Sequence, residues 1–185
     1  MSAPSTVINA EDVFAQKQEQ EWITKAKAGD RSAFNHLYKL HIGRVYALCL
    51  RMLSSRDQAD DVTQEVFVQV WLKIENFRGD AKFSTWLHSV ATNTVLTHMR
   101  KQKSWVQKVF SIEDNPQAEQ AGNEIQDLSD LDKMILRLPE RARIVFVLFA
   151  VEGYRHEEIA TMLNMAVGSS KSHFHRARNL LKEWL

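Results

Sequence analysis

Apolar residues recur at spacings of three and four along most of the chain, and this periodicity constrains the fold more than any other feature. Such spacings place side chains on one face of an α-helix. The chain lacks the β-branched alternation typical of strands and the Pro-Gly pairs typical of strand turns. The sequence therefore predicts an all-α protein.

One polar segment interrupts the periodicity. Residues 109–132 hold seven acidic residues and no basic residue, whereas residues 1–108 and 133–185 each carry a net charge of +4. The stretch "SIEDNPQAEQAGNEIQDLSD" contains Pro116 and Gly122 and few large aliphatic residues, which is typical of a flexible linker. We expect two small helical domains joined by a flexible acidic linker. Its charge suggests the hypothesis that the linker follows a basic channel of a partner.

Other features exclude several classes of protein. No apolar run approaches the roughly 18 to 20 residues needed to cross a bilayer, and the N-terminus lacks the pattern of a signal peptide. We therefore expect a cytoplasmic protein without membrane insertion. The single Cys49 excludes an internal disulfide, and its apolar neighbours predict a small buried residue.

The stretch "YRHEEIATMLNMAVGSSKSHFHRARNLL" predicts two short helices joined by a tight turn. One stripe of the second helix should face a core: Val167, Ser170, Phe174, Ala177, Leu181 and Trp184. The opposite side carries hydrogen-bonding and basic groups: Ser169, Ser172, Arg176 and Asn179, flanked by His173 and His175. This layout predicts a helix-turn-helix that places its second helix in the DNA major groove, although an ordinary solvated helix face is an alternative.

The histidines do not have the spacing of a metal or catalytic site. A zinc-protease helix begins like His156-Glu157-Glu158, but it needs a second histidine where this chain has Ala160. His173 and His175 diverge by about 200° on a helix and cannot share a metal ion. We predict no metal, no cofactor and no catalytic residue.

The stretch "DQADDVTQEVFVQVWLKI" predicts a helix with an unusual outward side. Its core stripe is Ala59, Val62, Val66 and Val70. The other side mixes acids with large apolar residues: Asp57, Asp61, Gln64, Val68, Leu72 and Trp71. This mixture indicates contact with another protein, and the alternative is a helix buried on two sides within its own domain.

The stretch "AKFSTWLHSVATNTVLTHMRKQKSWVQKV" has five basic residues and no acid, which favours contact with a phosphate backbone. Leu96 falls opposite Leu87 on a single helix, so either the helix breaks or both of its sides are covered. Phe83 and Trp86 are expected in the core rather than as stacking platforms.

These motifs together resemble the extracytoplasmic-function sigma factors of the bacterial sigma-70 family. "DDVTQEVFVQVW" and "FSTWL" resemble parts of region 2, and "VGSSKSHFHRAR" resembles the helix-turn-helix of region 4. The resemblance implies an N-terminal extension (residues 1–19), region 2 (20–108), an acidic linker (109–127) and region 4 (128–185). It implies an alternative sigma factor, not an enzyme, that directs promoter-specific initiation, in a stress or envelope response.

The resemblance also implies partners. These are core RNA polymerase (the clamp coiled coil of the largest subunit and the flap of the second largest), promoter DNA, and an anti-sigma factor that holds the protein near the inner membrane. Polymerase binding falls on Asp57, Asp61, Gln64, Glu65, Val68 and Leu72. Binding of the minus-10 strand falls on Asn93, Thr97, Arg100, Lys101 and Lys103. Binding of the minus-35 element falls on Ser169, Lys171, Ser172, His173, His175, Arg176 and Arg178.

Several residues depart from the family pattern. Arg155 replaces the serine that caps the first helix of the motif, and Asn164 stands where glycine is common. Ser170 replaces an apolar residue on the buried stripe and needs a hydrogen-bond partner, while Thr97 and His173 replace a frequent Asp and Arg.

A DNA-binding regulator that acts without polymerase is an alternative function, against which the helix at residues 57–72 argues. A helical enzyme that uses the histidines is a second alternative function.

Overall fold

The computed structural model describes residues 10–102 and 128–185, with side chains described from residue 13 to 101 and from 128 onward. The described residues form helices and connecting turns, without a strand, which confirms the all-α prediction. Lys103 and the predicted linker (residues 109–127) lie outside the described residues.

The first domain consists of four α-helices in the described part of the chain. They are α1 (Ala10–Lys27), α2 (Arg31–Leu53), α3 (Arg56–Lys73) and α4 (Phe83–Gln102), with a 3₁₀ turn at Ile74–Asn76. Asp30 caps α2 by accepting from the backbone N–H of Ser32 and Ala33 at 2.8 and 3.1 Å. Ser54 ends α2 in the left-handed conformation, and Ser55 then caps α3. The connections at residues 28–30 and 54–55 are short, and α2 packs against both α1 and α3.

The second domain is built from four shorter elements and one long helix. They are α5 (Asp130–Arg137), α6 (Glu140–Phe146), a π-helical turn (Val147–Val151), α7 (His156–Leu163) and α8 (Val167–Trp184). Leu138 and Ala142 pack with Ala177 and Leu181 of α8 in a buried apolar cluster. The guanidinium of Arg137 lies 4.6 Å from the ring centroid of Trp184, which adds a cation–π contact at the end of α8.

Helix α2 lies at the centre of the first domain and packs against α1, α3 and α4. Its inward residues Leu37, Val45, Leu48 and Met52 are at most 1% exposed. Cys49 is fully buried beside them, as predicted, and burial raises the pKa of its thiol to about 11. The thiol is therefore protonated and unreactive at neutral pH.

Helix α4 is continuous, and both Leu87 and Leu96 are buried, so the helix does not break and is covered on more than one side. The second domain contacts α4 through two side chains that lie on either side of Leu96 around the helix. His88 bonds to Glu152 at 2.7 Å, and Arg100 bonds to the carbonyl of Met162 at 2.7 Å. The second domain therefore touches α4 at these two positions.

A matched pair of threonines on α4 gives a test of this burial. The Thr92 hydroxyl is buried and has no hydrogen-bond partner among the described residues, whereas the Thr94 hydroxyl donates to the Val90 carbonyl at 2.8 Å. An unsatisfied buried polar group costs about 1–3 kcal/mol. We expect Thr92→Val to raise the free energy of unfolding by about 1 kcal/mol, measured by chemical denaturation. Thr94→Val is the control and should give no gain; equal effects of the two substitutions would contradict the assignment.

Candidate functional site

Helices α7 and α8 form a helix-turn-helix in which residues 164–166 make the turn. Asn164 adopts the left-handed conformation with φ 50°, as its side chain allows, and so ends α7 without glycine. The Met165 N–H then donates to the Ala160 carbonyl at 2.9 Å. The departure from the family pattern at position 164 therefore leaves the geometry of the turn intact.

At the start of α7, one of the two hydrogen bonds of a capping box is formed. Arg155 offers no side-chain acceptor to the first turn, as expected from its side chain. The Glu158 carboxylate instead accepts from the backbone N–H of Arg155 at 2.7 Å. This is one half of a capping box, and Glu157 and Glu158 also complement the helix dipole.

The angle between α7 and α8 is held by a buried polar contact. Ser170 is fully buried on the predicted inward stripe of α8, and its hydroxyl lies 2.9 Å from Nδ1 of His156 at the start of α7. The His156 ring stacks on Phe149 at 4.3 Å between centroids and lies near Phe174. The partner that Ser170 was expected to need is therefore His156.

The outward side of α8 is exposed and basic. Six of the seven residues predicted to bind the minus-35 element are exposed: Ser169, Lys171, Ser172, His175, Arg176 and Arg178. On this side a shallow, open depression, which we call the groove of α8, is bordered by side chains of that helix alone: Lys171, Ser172, His175, Arg176, Asn179 and Leu180. Asn179 was left out of the predicted set although it lies on the outward side, and it bonds to His175 at 3.2 Å.

His173 is the exception on α8, because it is half-buried at the edge of the face. Burial lowers the pKa of its imidazole, and the charges of Arg141 and Arg176 lower it further. The ring is therefore neutral at neutral pH. It supplies a hydrogen-bonding group and no fixed positive charge beside Arg176.

The predicted residues of α4 lie along one exposed line. Asn93, Thr97 and Arg100 are exposed and separated by four and three residues, and Lys101 is exposed beside them. Phe83 is buried and Trp86 half-buried, with ring centroids 5.6 Å apart, which fits their expected place in the core. The exposed line therefore consists of polar and basic groups.

The outward side of α3 combines exposed acids with exposed apolar side chains. The core stripe of Ala59, Val62, Val66 and Val70 is buried as predicted. Asp57, Asp61 and Gln64 are exposed, Glu65 is half-buried, and Val68 and Leu72 are 56% and 65% exposed. We call the predicted set on this side the α3 face. Trp71 does not extend from it freely, because its ring packs edge-on against Phe34 at 4.9 Å.

No group of three or more His, Cys, Asp or Glu side chains that could hold a metal ion occurs in residues 10–102 or 128–185. Within the same ranges, none of the helices combines the length and the apolar character of a membrane span.

The contact between α7 and α8 yields a prediction about stability. Ser170→Ala removes the partner of a part-buried imidazole nitrogen, and we expect the free energy of unfolding to fall by about 1 kcal/mol. Ser169→Ala changes an exposed neighbour on the same helix and should stay within about 0.5 kcal/mol of the parent protein. Chemical denaturation of the full chain makes the comparison. Equal effects at the two positions would show that the contact with His156 does not hold the helices.

Comparison with known proteins agrees with this arrangement. The sigma-70 region 2 family model matches residues 37–104, and the sigma-70 region 4 family model matches residues 128–181. These ranges contain α3 and α4 in the first case and the helix-turn-helix in the second. The chain is 31% identical to the ECF RNA polymerase sigma factor SigW of Bacillus subtilis over 88% of this chain and 94% of that protein.

Two solved structures are also similar. The sigma factor RpoE of Bartonella quintana, solved in complex with the anti-sigma factor NepR, has a TM-score of 0.52 and 28% identity, covering 81% of this chain and 94% of RpoE. CnrH, solved with the cytosolic domain of CnrY, has a TM-score of 0.51 and 23% identity, covering 90% and 96%, and shows the shared fold alone. With the two family models and the SigW relative, the chain belongs to the extracytoplasmic-function sigma factors of the sigma-70 family.

Proposed function

We propose that this alternative sigma factor divides promoter-directed initiation among three surfaces, with no catalytic step of its own. The α3 face binds core RNA polymerase, the exposed line of α4 binds the minus-10 strand, and the groove of α8 binds the minus-35 duplex. The observation that carries the proposal is the presence, in one chain, of an apolar-acidic helix face and a basic helix-turn-helix groove. A DNA-binding protein that acts alone does not require the apolar-acidic helix face.

The groove of α8 has the chemistry that major-groove binding needs. Arg176 is exposed in the groove, where its guanidinium can donate in a fork to O6 and N7 of guanine. Ser172 and Asn179 can donate to or accept from base edges, and Lys171 at the side of the groove suits a phosphate. We assign Ser169, His175 and Arg178 to flanking contacts, since all three are exposed on the same helix.

The α4 line suits a single strand. Asn93 and Thr97 offer neutral hydrogen-bonding groups one turn apart, and Arg100 and Lys101 add two positive charges at the end of the helix. Lys103 extends the basic run in the sequence. We propose that an unstacked base of the minus-10 element is captured here, with base stacking and phosphate contacts offsetting the cost of opening the duplex.

The α3 face suits a protein partner of mixed character. Val68 and Leu72 present apolar area, and Asp57 and Asp61 present negative charge on the same side. We propose that the face docks on the clamp coiled coil of the largest polymerase subunit and that the second domain contacts the flap of the second largest. Acids near the start of α3 and apolar side chains near its end favour a partner with a basic and an apolar region, and the acids set its orientation.

The two similar solved structures are complexes, one with the anti-sigma factor NepR and one with the cytosolic domain of CnrY. We propose that an anti-sigma factor also binds this chain. The protein would then act in the bacterial cytoplasm and be held near the inner membrane while that partner is bound to it.

Leu72→Asp tests the α3 face. Burying an exposed leucine in an interface contributes about 2 kcal/mol, and a carboxylate at that position would be desolvated, so the affinity for core polymerase should fall at least tenfold. Leu40→Asp is the matched control, because Leu40 is 53% exposed but lies on α2. Competition with a labelled housekeeping sigma factor measures the affinity of each variant for core polymerase. Equal loss in the two variants would contradict the assignment.

Arg176→Ala tests the groove of α8. Loss of one good base contact should weaken minus-35 binding by about 1–3 kcal/mol and reduce the preference over a scrambled duplex. Lys182→Ala removes an exposed charge from the last turn of the same helix, outside the groove, and should leave that preference unchanged. Binding of holoenzyme to a duplex selected from genomic fragments provides the measurement. An unchanged preference in Arg176→Ala would overturn the assignment.

A further inference from the structure

A buried polar pair, His156 and Ser170, joins the two helices of the helix-turn-helix. We infer that these two are positioning residues for minus-35 recognition: their hydrogen bond fixes the rotation of α8 against α7 and so directs the groove of α8 at the bases. The inference rests on the proposed role of α8 in minus-35 binding. It assigns part of the sequence discrimination to the interior of the domain, since neither side chain lies on the outward side of α8.

The π-helical turn and α8 together hold the His156 ring in place. His156 is the first residue of α7, and its ring stacks on Phe149 of the π-helical turn, with centroids 4.3 Å and planes 15° apart. The same ring meets Phe174 of α8 edge-on at 5.9 Å, and Phe149 and Phe174 lie 4.5 Å from each other. Because aromatic side chains enclose the ring, its Nδ1 has a fixed position from which to bind the Ser170 hydroxyl at 2.9 Å.

The contact at Ser170 determines which side of α8 faces outward. Ser170 is fully buried, whereas its neighbours Ser169 and Lys171 are exposed, and Ser172 lies about 200° from it around the helix. A rotation of α8 by about 20° would displace side chains about 5 Å from its axis by about 2 Å, which is enough to break a hydrogen bond to a base edge. The bond at Ser170 opposes this rotation, because a hydrogen bond needs a narrow range of distance and angle.

A polar pair orients α8 more strictly than an apolar pair would. Apolar contacts are not directional, so cores made of them lose a unique arrangement before they lose stability. A buried hydrogen bond contributes little net stability, but another position of the helix would leave both polar groups unpaired. Buried polar groups can in this way select one arrangement of helices over its competitors. The pair at positions 156 and 170 therefore suits specificity more than stability.

Replacement of the polar pair by an apolar pair tests the inference. The double variant His156→Phe with Ser170→Val keeps an aromatic ring beside Phe149 and removes both members of the polar contact, so its denaturation midpoint should equal or exceed that of the parent. We define discrimination as the ratio of two holoenzyme affinities, one for a duplex selected from genomic fragments and one for the same duplex with a scrambled minus-35 element. Discrimination should fall by a factor of about five or more, as expected for misaligned base contacts. A smaller loss in the folded double variant would overturn the inference.

His156→Asn is the complementary variant, and it tests the inference even if the apolar pair does not fold. The asparagine amide occupies the position of Nδ1, so it keeps a hydrogen-bonding group beside Ser170 but loses the stack on Phe149. The denaturation midpoint should therefore fall, whereas discrimination should stay within about twofold of the parent. A larger loss of discrimination would contradict the inference, since the bond to Ser170 is retained.

Ile144→Val is the matched control for stability alone. Ile144 is 1% exposed on α6, and loss of one buried methyl group should lower the denaturation midpoint while leaving the pair at positions 156 and 170 unchanged. Discrimination should match that of the parent; a loss equal to that of the double variant would show that stability, not the orientation of α8, sets it. A parent chain without any preference for the minus-35 element would instead contradict the proposed function, so the two failures are distinguishable.

Discussion

Helix α2 packs against α1, α3 and α4 through apolar side chains, and its last two turns also contact the second domain. Leu48, Cys49 and Met52 are fully buried there, so the helix exposes little surface at that end. Burial of this one helix holds α3 and α4 in fixed positions, with the α3 face and the α4 line both directed outward. The same burial brings Arg51 and the Met52 carbonyl to the charged residues of α5 and α6.

The spacing of apolar residues predicted the inward side of each helix that is buried within its own domain. The stripe on α8, including Ser170, and the stripe on α3 are inward as expected, because each helix has one core side and one outward side. The acidic-apolar α3 face was predicted for the same reason. Motifs predicted the family, whose membership the comparisons confirm, whereas the roles of the individual residues stay predictions.

Contacts between residues far apart in sequence could not be predicted in this way. The sequence left open whether α4 breaks or is covered on both sides, and it could not show that His88 of α4 bonds to Glu152, 64 positions away. Arg143 of α6 is buried, and its guanidinium donates to the Met52 carbonyl, 91 positions away. His156 appeared as a failed metal motif and is instead the partner of Ser170. Sequence spacing carries no information about such pairs.

The proposed function requires above all that the α3 face bind core RNA polymerase. The direct measurement is gel filtration of the purified chain with bacterial core RNA polymerase, followed by competition with the housekeeping sigma factor. Co-elution with core polymerase and displacement of the competitor is the predicted result, with Leu72→Asp defective in both. A folded chain, free of any inhibitor, that neither co-elutes nor competes would contradict the account and leave a helix-turn-helix protein that binds DNA alone.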